Sequence, residues 1–134
     1  MDIRIYYEDT DAAGVVYHAN YLKYFERARS EYLRQKGVSV AVLAMEGFVF
    51  PVVRVAIDFL SPAFLDDLVS ITTMPERVKG SSFTVRQHAI RNSDGKLLVD
   101  ASITLACIGP KLKARRIPAV VREVLESELI NGAL

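Results

Sequence analysis

Cysteine occurs once in the chain, at Cys107. No intrachain disulfide can form, and the expected setting is a reducing one, read here as cytoplasmic. Charge of either sign is not in excess. Seventeen Lys and Arg stand against sixteen Asp and Glu, a formal net charge of +1. That field is too weak to favour a nucleic-acid or membrane partner. Long apolar runs are missing too. The most apolar stretch, Val38 to Val53, is interrupted by Glu46, Gly47 and Pro51. It falls short of the ~20 residues a membrane span requires, and a short helix followed by a buried strand accounts for it. The start, Met1-Asp2-Ile3-Arg4, lacks a basic segment leading into an apolar run, so no signal peptide is expected. No internal repeat, low-complexity segment or linker divides the sequence. Its 134 residues fit one domain over 1–134 and are enough to bury a real core.

What the chain does hold is concentrated near its start. Tyr6-Tyr7-Glu8-Asp9-Thr10-Asp11-Ala12-Ala13-Gly14-Val15-Val16-Tyr17-His18-Ala19-Asn20-Tyr21 gathers three carboxylates, a histidine and a glycine. Ahead of it, Ile3, Ile5 and Tyr7 alternate as one face of a first strand over Ile3 to Tyr7. Behind it, Tyr21, Phe25, Ala28 and Tyr32 form a helical stripe, with Leu22, Arg29 and Leu33 beside it. The layout is therefore strand, tight polar loop, and the N-terminus of a long helix. Such a loop brings a carboxylate and free backbone N–H groups to one point, which suits chemistry on a carbonyl.

Downstream, Gly37 supplies a helix stop and Ser39 can cap a second, shorter helix. The period then changes to two. Val53, Val55, Ile57 and Phe59 share a face of a strand that ends at Ser61-Pro62. Val69, Ile71 and Thr73 start another, and Lys79-Gly80-Ser81 turns into a strand with Phe83, Val85, Gln87 and Ala89 on one face. Asn92-Ser93-Asp94-Gly95 is a hairpin signal. Leu97, Val99, Ala101, Ile103, Leu105 and Cys107 give the cleanest alternation, and Pro118 opens a helix carrying Val121, Val124 and Leu125. A single curved sheet wrapped around one helix satisfies this order, so the class is α+β.

Asp11 is the residue type for attack on an acyl carbon, either as nucleophile or as general base for water. Its bland role is closing an Asx-turn. Asp9 reads as the turn or supporting residue. Asp9, Asp11 and His18 lack a further ligand at a recognised spacing, so no metal is expected. The His18 ring can donate to a carbonyl, position water or protonate a leaving thiolate, or it can simply pack. Gly14 lets the loop turn with positive φ or lets substrate approach the backbone. Tyr7 lines an acyl site or belongs to the core. Glu26, Arg27, Arg29 and Glu31 fit helix-surface pairs, His88 with Arg86 fits the outer face of its strand, and Cys107 fits the core. Lys111, Lys113, Arg115 and Arg116 form the basic cluster. It is either a phosphate contact or a solvated edge that limits strand pairing.

The stretch Tyr7 to Tyr21, with Tyr24-Phe25-Glu26-Arg27-Ala28-Arg29, resembles the hotdog-fold acyl-CoA thioesterases of the 4-hydroxybenzoyl-CoA thioesterase family. Within it, the chain is most similar to the branch associated with the Tol-Pal cell-envelope system. Ser61-Pro62-Ala63, Lys79-Gly80-Ser81-Ser82 and Lys113 to Pro118 extend the likeness almost end to end. The resemblance implies a five-stranded antiparallel sheet around a long central helix, assembled as a homodimer or homotetramer. It implies hydrolysis of an acyl-CoA without metal or other cofactor, with Asp11 as the essential carboxylate. It places His18, with its backbone N–H on the thioester carbonyl, where the aryl-CoA branch has Tyr; short-chain aliphatic acyl groups are expected instead. Tyr7, Gly14, Val15, Tyr17, Ser81, Ser82, Arg115 and Arg116 are the expected substrate contacts. Acyl-carrier protein is a second candidate carrier. Two other readings stand beside this one. A 3-hydroxyacyl-thioester dehydratase or hydratase would need a His paired with an acid elsewhere, and a binding module for an acyl carrier or envelope complex would keep the fold without turnover.

Overall fold

The computed structural model describes residues 1–129. Strands β1 (Asp2–Arg4), β2 (Val52–Phe59), β3 (Leu68–Val78), β4 (Ser82–Arg91) and β5 (Leu97–Ala106) form one antiparallel sheet in the order β1-β3-β4-β5-β2. Helix α1 (Asn20–Gln35) lies against its concave face. Helices α2 (Val40–Met45) and α3 (Ala119–Ser127) close the periphery. Ser39 Oγ accepts from Val42 N at 3.2 Å, the cap that its hydroxyl offers a short helix.

The core is the meeting of two periodicities. Tyr21, Tyr24, Phe25, Ala28 and Leu33 are the buried residues of α1. They face Val69, Ile71, Phe83, Val85, Ala89, Val99, Ala101, Ile103 and Leu105 of the sheet, all buried. Each large aliphatic or aromatic side chain removed from water contributes roughly 1.5–3 kcal/mol, so this seam holds the helix in place. Gln87 sits within it, fully buried. It donates to Phe25 O at 3.0 Å and Thr73 Oγ1 at 2.9 Å, and it accepts from Arg29 Nη1 at 3.0 Å. A polar group there is tolerable because its amide is fully used. It ties helix to sheet at one register.

Three expectations change. The first strand ends at Arg4 rather than Tyr7. Tyr7 begins a 3₁₀ turn over Tyr7–Asp9 and is 84 % exposed, because Asp9 draws the chain round by accepting from Tyr6 N at 2.8 Å. Second, β3 continues through Pro75 to Val78 with a bulge between Pro75 and Arg77. Proline survives there because β1 pairs only Leu68 to Ser70, leaving that part of β3 without a second strand neighbour. Third, β2 is not buried. It is an edge strand with Val52, Val53, Val55 and Phe59 exposed.

Candidate active site

The polar loop between the 3₁₀ turn and α1 closes on itself. Thr10 bridges to Val16, Asp11 N donates to Val15 O at 2.9 Å, and Gly14 N donates to Asp11 O at 3.0 Å. Gly14 makes the return with φ of 80°, a conformation that disfavours any residue with a Cβ. The loop is laced to the segment after β2 by Val16 N to Ala63 O at 2.9 Å and a Val15 to Phe64 bridge. Asp9 anchors its base. Its carboxylate accepts from Tyr24 Oη at 2.6 Å and Tyr6 N at 2.8 Å, and its carbonyl accepts from Tyr17 N and Asn20 Nδ2. Burial, and then the hydrogen bond to Asp9, push the Tyr24 hydroxyl well above the ordinary phenol range, so it remains a donor.

Asp11 divides its two carboxylate oxygens. Oδ1 accepts from Ala13 N at 2.9 Å and Val15 N at 3.4 Å. Oδ2 has no hydrogen-bond partner among the described residues. The turn-closing role and an available anionic oxygen thus coexist in one side chain. Beside it, α1 begins at Asn20 after Ala19. The N–H groups of His18 and Ala19 donate to no acceptor among the described residues, as the first N–H groups of a helix do. The helix dipole adds partial positive charge at that end.

Asp11, Val15, Val16, His18 and Tyr21 line one cavity of about 290 Å³, closed on its other side by Phe59, Leu60, Ser61 and Pro62. The exposed His18 ring stands edge-on to Phe59 at 6.0 Å and 4.7 Å from Tyr17. Tyr21 is only 3 % exposed, and its buried hydroxyl has no hydrogen-bond partner among the described residues. Burial pushes that hydroxyl up to about 12, so it stays protonated. A buried hydroxyl left unsatisfied costs about 1–3 kcal/mol; one that lines a cavity is set to meet something that enters it. The sequence pattern hides this role, since Tyr21 falls on the apolar stripe and its ring does pack against Tyr24, Phe25 and Phe59. Phe59 to Pro62 had only the strand break as a signal.

The expected substrate residues separate. Asp11, Val15 and His18 share the cavity, with Gly14 and Tyr17 shaping the loop that carries them. Tyr7 does not line it, nor do Ser81, Ser82, Arg115 or Arg116. Arg115 donates to Gly47 O at 3.0 Å and stacks over Phe48 at 3.9 Å, which clamps the end of α2. Arg116 is exposed, with its carbonyl accepting from Cys107 Sγ at 3.8 Å. The pair His88 and Asp100, 3.0 Å apart, lies on the outer face of the sheet, away from the cavity.

Residues 13–98 match the thioesterase superfamily. The chain belongs to that superfamily. It is 40 % identical over 117 residues to the acyl-CoA thioester hydrolase YbgC of Escherichia coli O6:H1, covering 87 % of each chain. It is 43 % identical over 122 residues to the acyl-CoA thioesterase YbgC of Haemophilus influenzae, covering 90 % of this chain and 88 % of that one. Among solved structures, a probable thioesterase from Bartonella henselae superposes with TM-score 0.82 at 40 % identity, over 88 % of this chain and 97 % of the other. A gentisyl-coenzyme A thioesterase superposes with TM-score 0.84 at 30 % identity, over 91 % and 98 %. The sheet wrapped on α1 is the hotdog fold of these thioesterases. Among the described residues, no helix of this thioesterase is long and apolar enough to cross a membrane.

Proposed function

We propose that this thioesterase hydrolyses acyl-CoA to a free acid and CoA, preferring short aliphatic acyl groups, within the Tol-Pal-associated branch of its family. The observation that carries the reading is the free Asp11 oxygen in one cavity with the start of α1. The thioester carbonyl oxygen takes the N–H groups at His18 and Ala19. A donor aimed there is worth about 3–4 kcal/mol once the oxygen becomes anionic. Asp11 then acts by one of two routes. As general base it takes a proton from water, whose oxygen bonds to the carbonyl carbon; as nucleophile it bonds directly, giving a mixed anhydride that water opens. In both, the carbon–sulfur bond breaks and the sulfur leaves as thiolate, to which the His18 ring passes a proton. No step calls on a metal or cofactor. The dehydratase reading is disfavoured, since the one hydrogen-bonded His–acid pair among the described residues, His88 and Asp100, lies outside the cavity.

Release of free thiol from a panel of acyl-CoAs tests the proposal. Short aliphatic esters should give a kcat/KM about tenfold or more above 4-hydroxybenzoyl-CoA, a difference within the reach of pocket contacts. A strong preference for the aryl ester would overturn the substrate assignment, and no thiol release from any ester would overturn hydrolysis.

Tyr21 supplies a hydrogen bond to the bound acyl thioester or to the attacking water. Tyr21→Phe should hold or raise the melting temperature, because the lost hydroxyl has no protein partner among the described residues. It should lower kcat/KM about tenfold, the worth of one such bond. Parallel melting and kinetic measurements decide: unchanged kcat/KM would return Tyr21 to a packing role.

A further inference from the structure

A second polar cavity lies on the outer face of the sheet, at the end opposite the catalytic loop. The strand register builds it. Arg54 of β2 stands beside Thr104 of β5, Thr104 beside Thr84 of β4, and Thr84 beside Arg77 of β3. Residues aligned across a sheet share a face, so two guanidinium groups flank two hydroxyls in one row. Lys79 joins them from the β3–β4 turn, with Ser82, around a cavity of about 130 Å³. That turn is fixed: Lys79 N donates to Ser82 O at 2.8 Å, and Arg122 donates to Lys79 O at 2.6 Å.

Arg54, Arg77 and Lys79 are exposed, and Arg77 acts on Glu76 only through space. Arg86, Arg91 and Arg122 each have a carboxylate partner, but no ion pair among the described residues involves Arg54, Arg77 or Lys79. Glu76, next to Arg77 in sequence, is taken by Arg86 at 2.9 Å and by Ser102 at 3.0 Å. Thr84 and Thr104 hydroxyls lie 2.9 Å apart. One donates to the other, which leaves a single hydroxyl proton free to donate. Three cations, a free hydroxyl proton and Ser82 around a small cavity suit a compact dianion with several acceptor oxygens. A carboxylate or a phosphodiester carries only one negative charge and would leave two cations unmatched.

We propose that Arg54, Arg77 and Lys79 form a phosphomonoester site that takes the 3′-phosphate of the CoA carrier. This rests on the acyl-CoA reading above. It shifts carrier recognition from Arg115, held in its clamp at Gly47 and Phe48, to a row that crosses the sheet. The position fits a paired assembly. Two β2 edges joined antiparallel would set the Arg54 end of one copy beside the Phe59 end of the other, and Phe59 lines the Asp11 cavity.

The test compares one acyl group on three carriers: CoA, 3′-dephospho-CoA and N-acetylcysteamine. For the parent enzyme the KM for the acyl-CoA should be about tenfold below that for the 3′-dephospho ester, the scale of one charge-assisted contact at a wet surface. In Arg54→Gln/Arg77→Gln that ratio should fall to about one. Adenosine 3′,5′-bisphosphate should raise the melting temperature of the parent and not of the double variant. A ratio of one in the parent, or a ratio that survives in the double variant, overturns the assignment. Hydrolysis of the N-acetylcysteamine ester by the parent, which needs no nucleotide, tells that failure apart from failure of the hydrolase reading. If no ester is cleaved, the bisphosphate shift alone decides whether the site exists.

Discussion

Asp11→Asn is expected to lower acyl-CoA turnover at least about a hundredfold, the low end of what a positioned base contributes, with little change in melting temperature. The two halves of that expectation come from the two oxygens of Asp11. Oδ1 closes the loop by accepting from Ala13 N and Val15 N, and the amide oxygen of asparagine can do the same. The other oxygen, without a partner among the described residues, is the one replaced by an NH₂ that neither attacks nor takes a proton. Asp9→Asn is the contrasting control. Both Asp9 oxygens accept hydrogen bonds, from Tyr24 and from Tyr6 N, so an NH₂ there meets a donor. Its main effect should be on stability, on the order of 1–3 kcal/mol, with a smaller loss of kcat. Steady-state rates and thermal melts on both variants check the pair. If Asp11→Asn keeps most of its rate while its melting temperature falls, Asp11 is a loop residue and the mechanism above is wrong.

The same loop illustrates what the sequence could and could not disclose. The helix stripe, the Ser39 cap and the alternation along β4 and β5 are local patterns, and each reappears in the fold. The catalytic candidates Asp11 and His18 sit within eight residues of each other, so a tight turn was enough to associate them. Tyr21 was legible as a packed residue. Its hydroxyl's lack of a partner depends on Phe59 to Pro62 arriving from forty residues away, which no local pattern encodes. The Arg54, Thr104, Thr84 and Arg77 row depends on three separate strand registers. In the sequence those residues are only the polar alternates of apolar strands. Basic residues close in sequence, such as Arg115 and Arg116, form a cluster that a sequence shows directly. The fold spends Arg115 on a carbonyl and an aromatic face instead.

Assembly is where the exposed β2 strand matters most. An edge strand presents unpaired backbone groups, and proteins ordinarily cover or disfavour such edges. This one carries Val52, Val53, Val55 and Phe59 exposed, and its Phe59 end forms a wall of the Asp11 cavity. A homodimer joined along β2, alone or within a homotetramer, would cover those side chains and complete that wall from a second copy. Val53→Lys is the sharpest probe. Val53 falls in a register shift of β2 and pairs with no residue of β5, and it is 60 % exposed; the change spares packing within the chain. In a paired edge it buries an uncompensated charge from each copy, a penalty on the order of 3–5 kcal/mol. Light scattering should then find a dimer or tetramer for the parent and monomers for the variant. Specific activity at low enzyme concentration should fall at least about tenfold, since 1.4 kcal/mol of lost association is already a factor of ten. It should recover as protein concentration rises, while circular dichroism stays that of the parent. Full activity in a monomeric variant at every concentration would mean that one chain holds the whole site and that the β2 edge serves something other than catalysis.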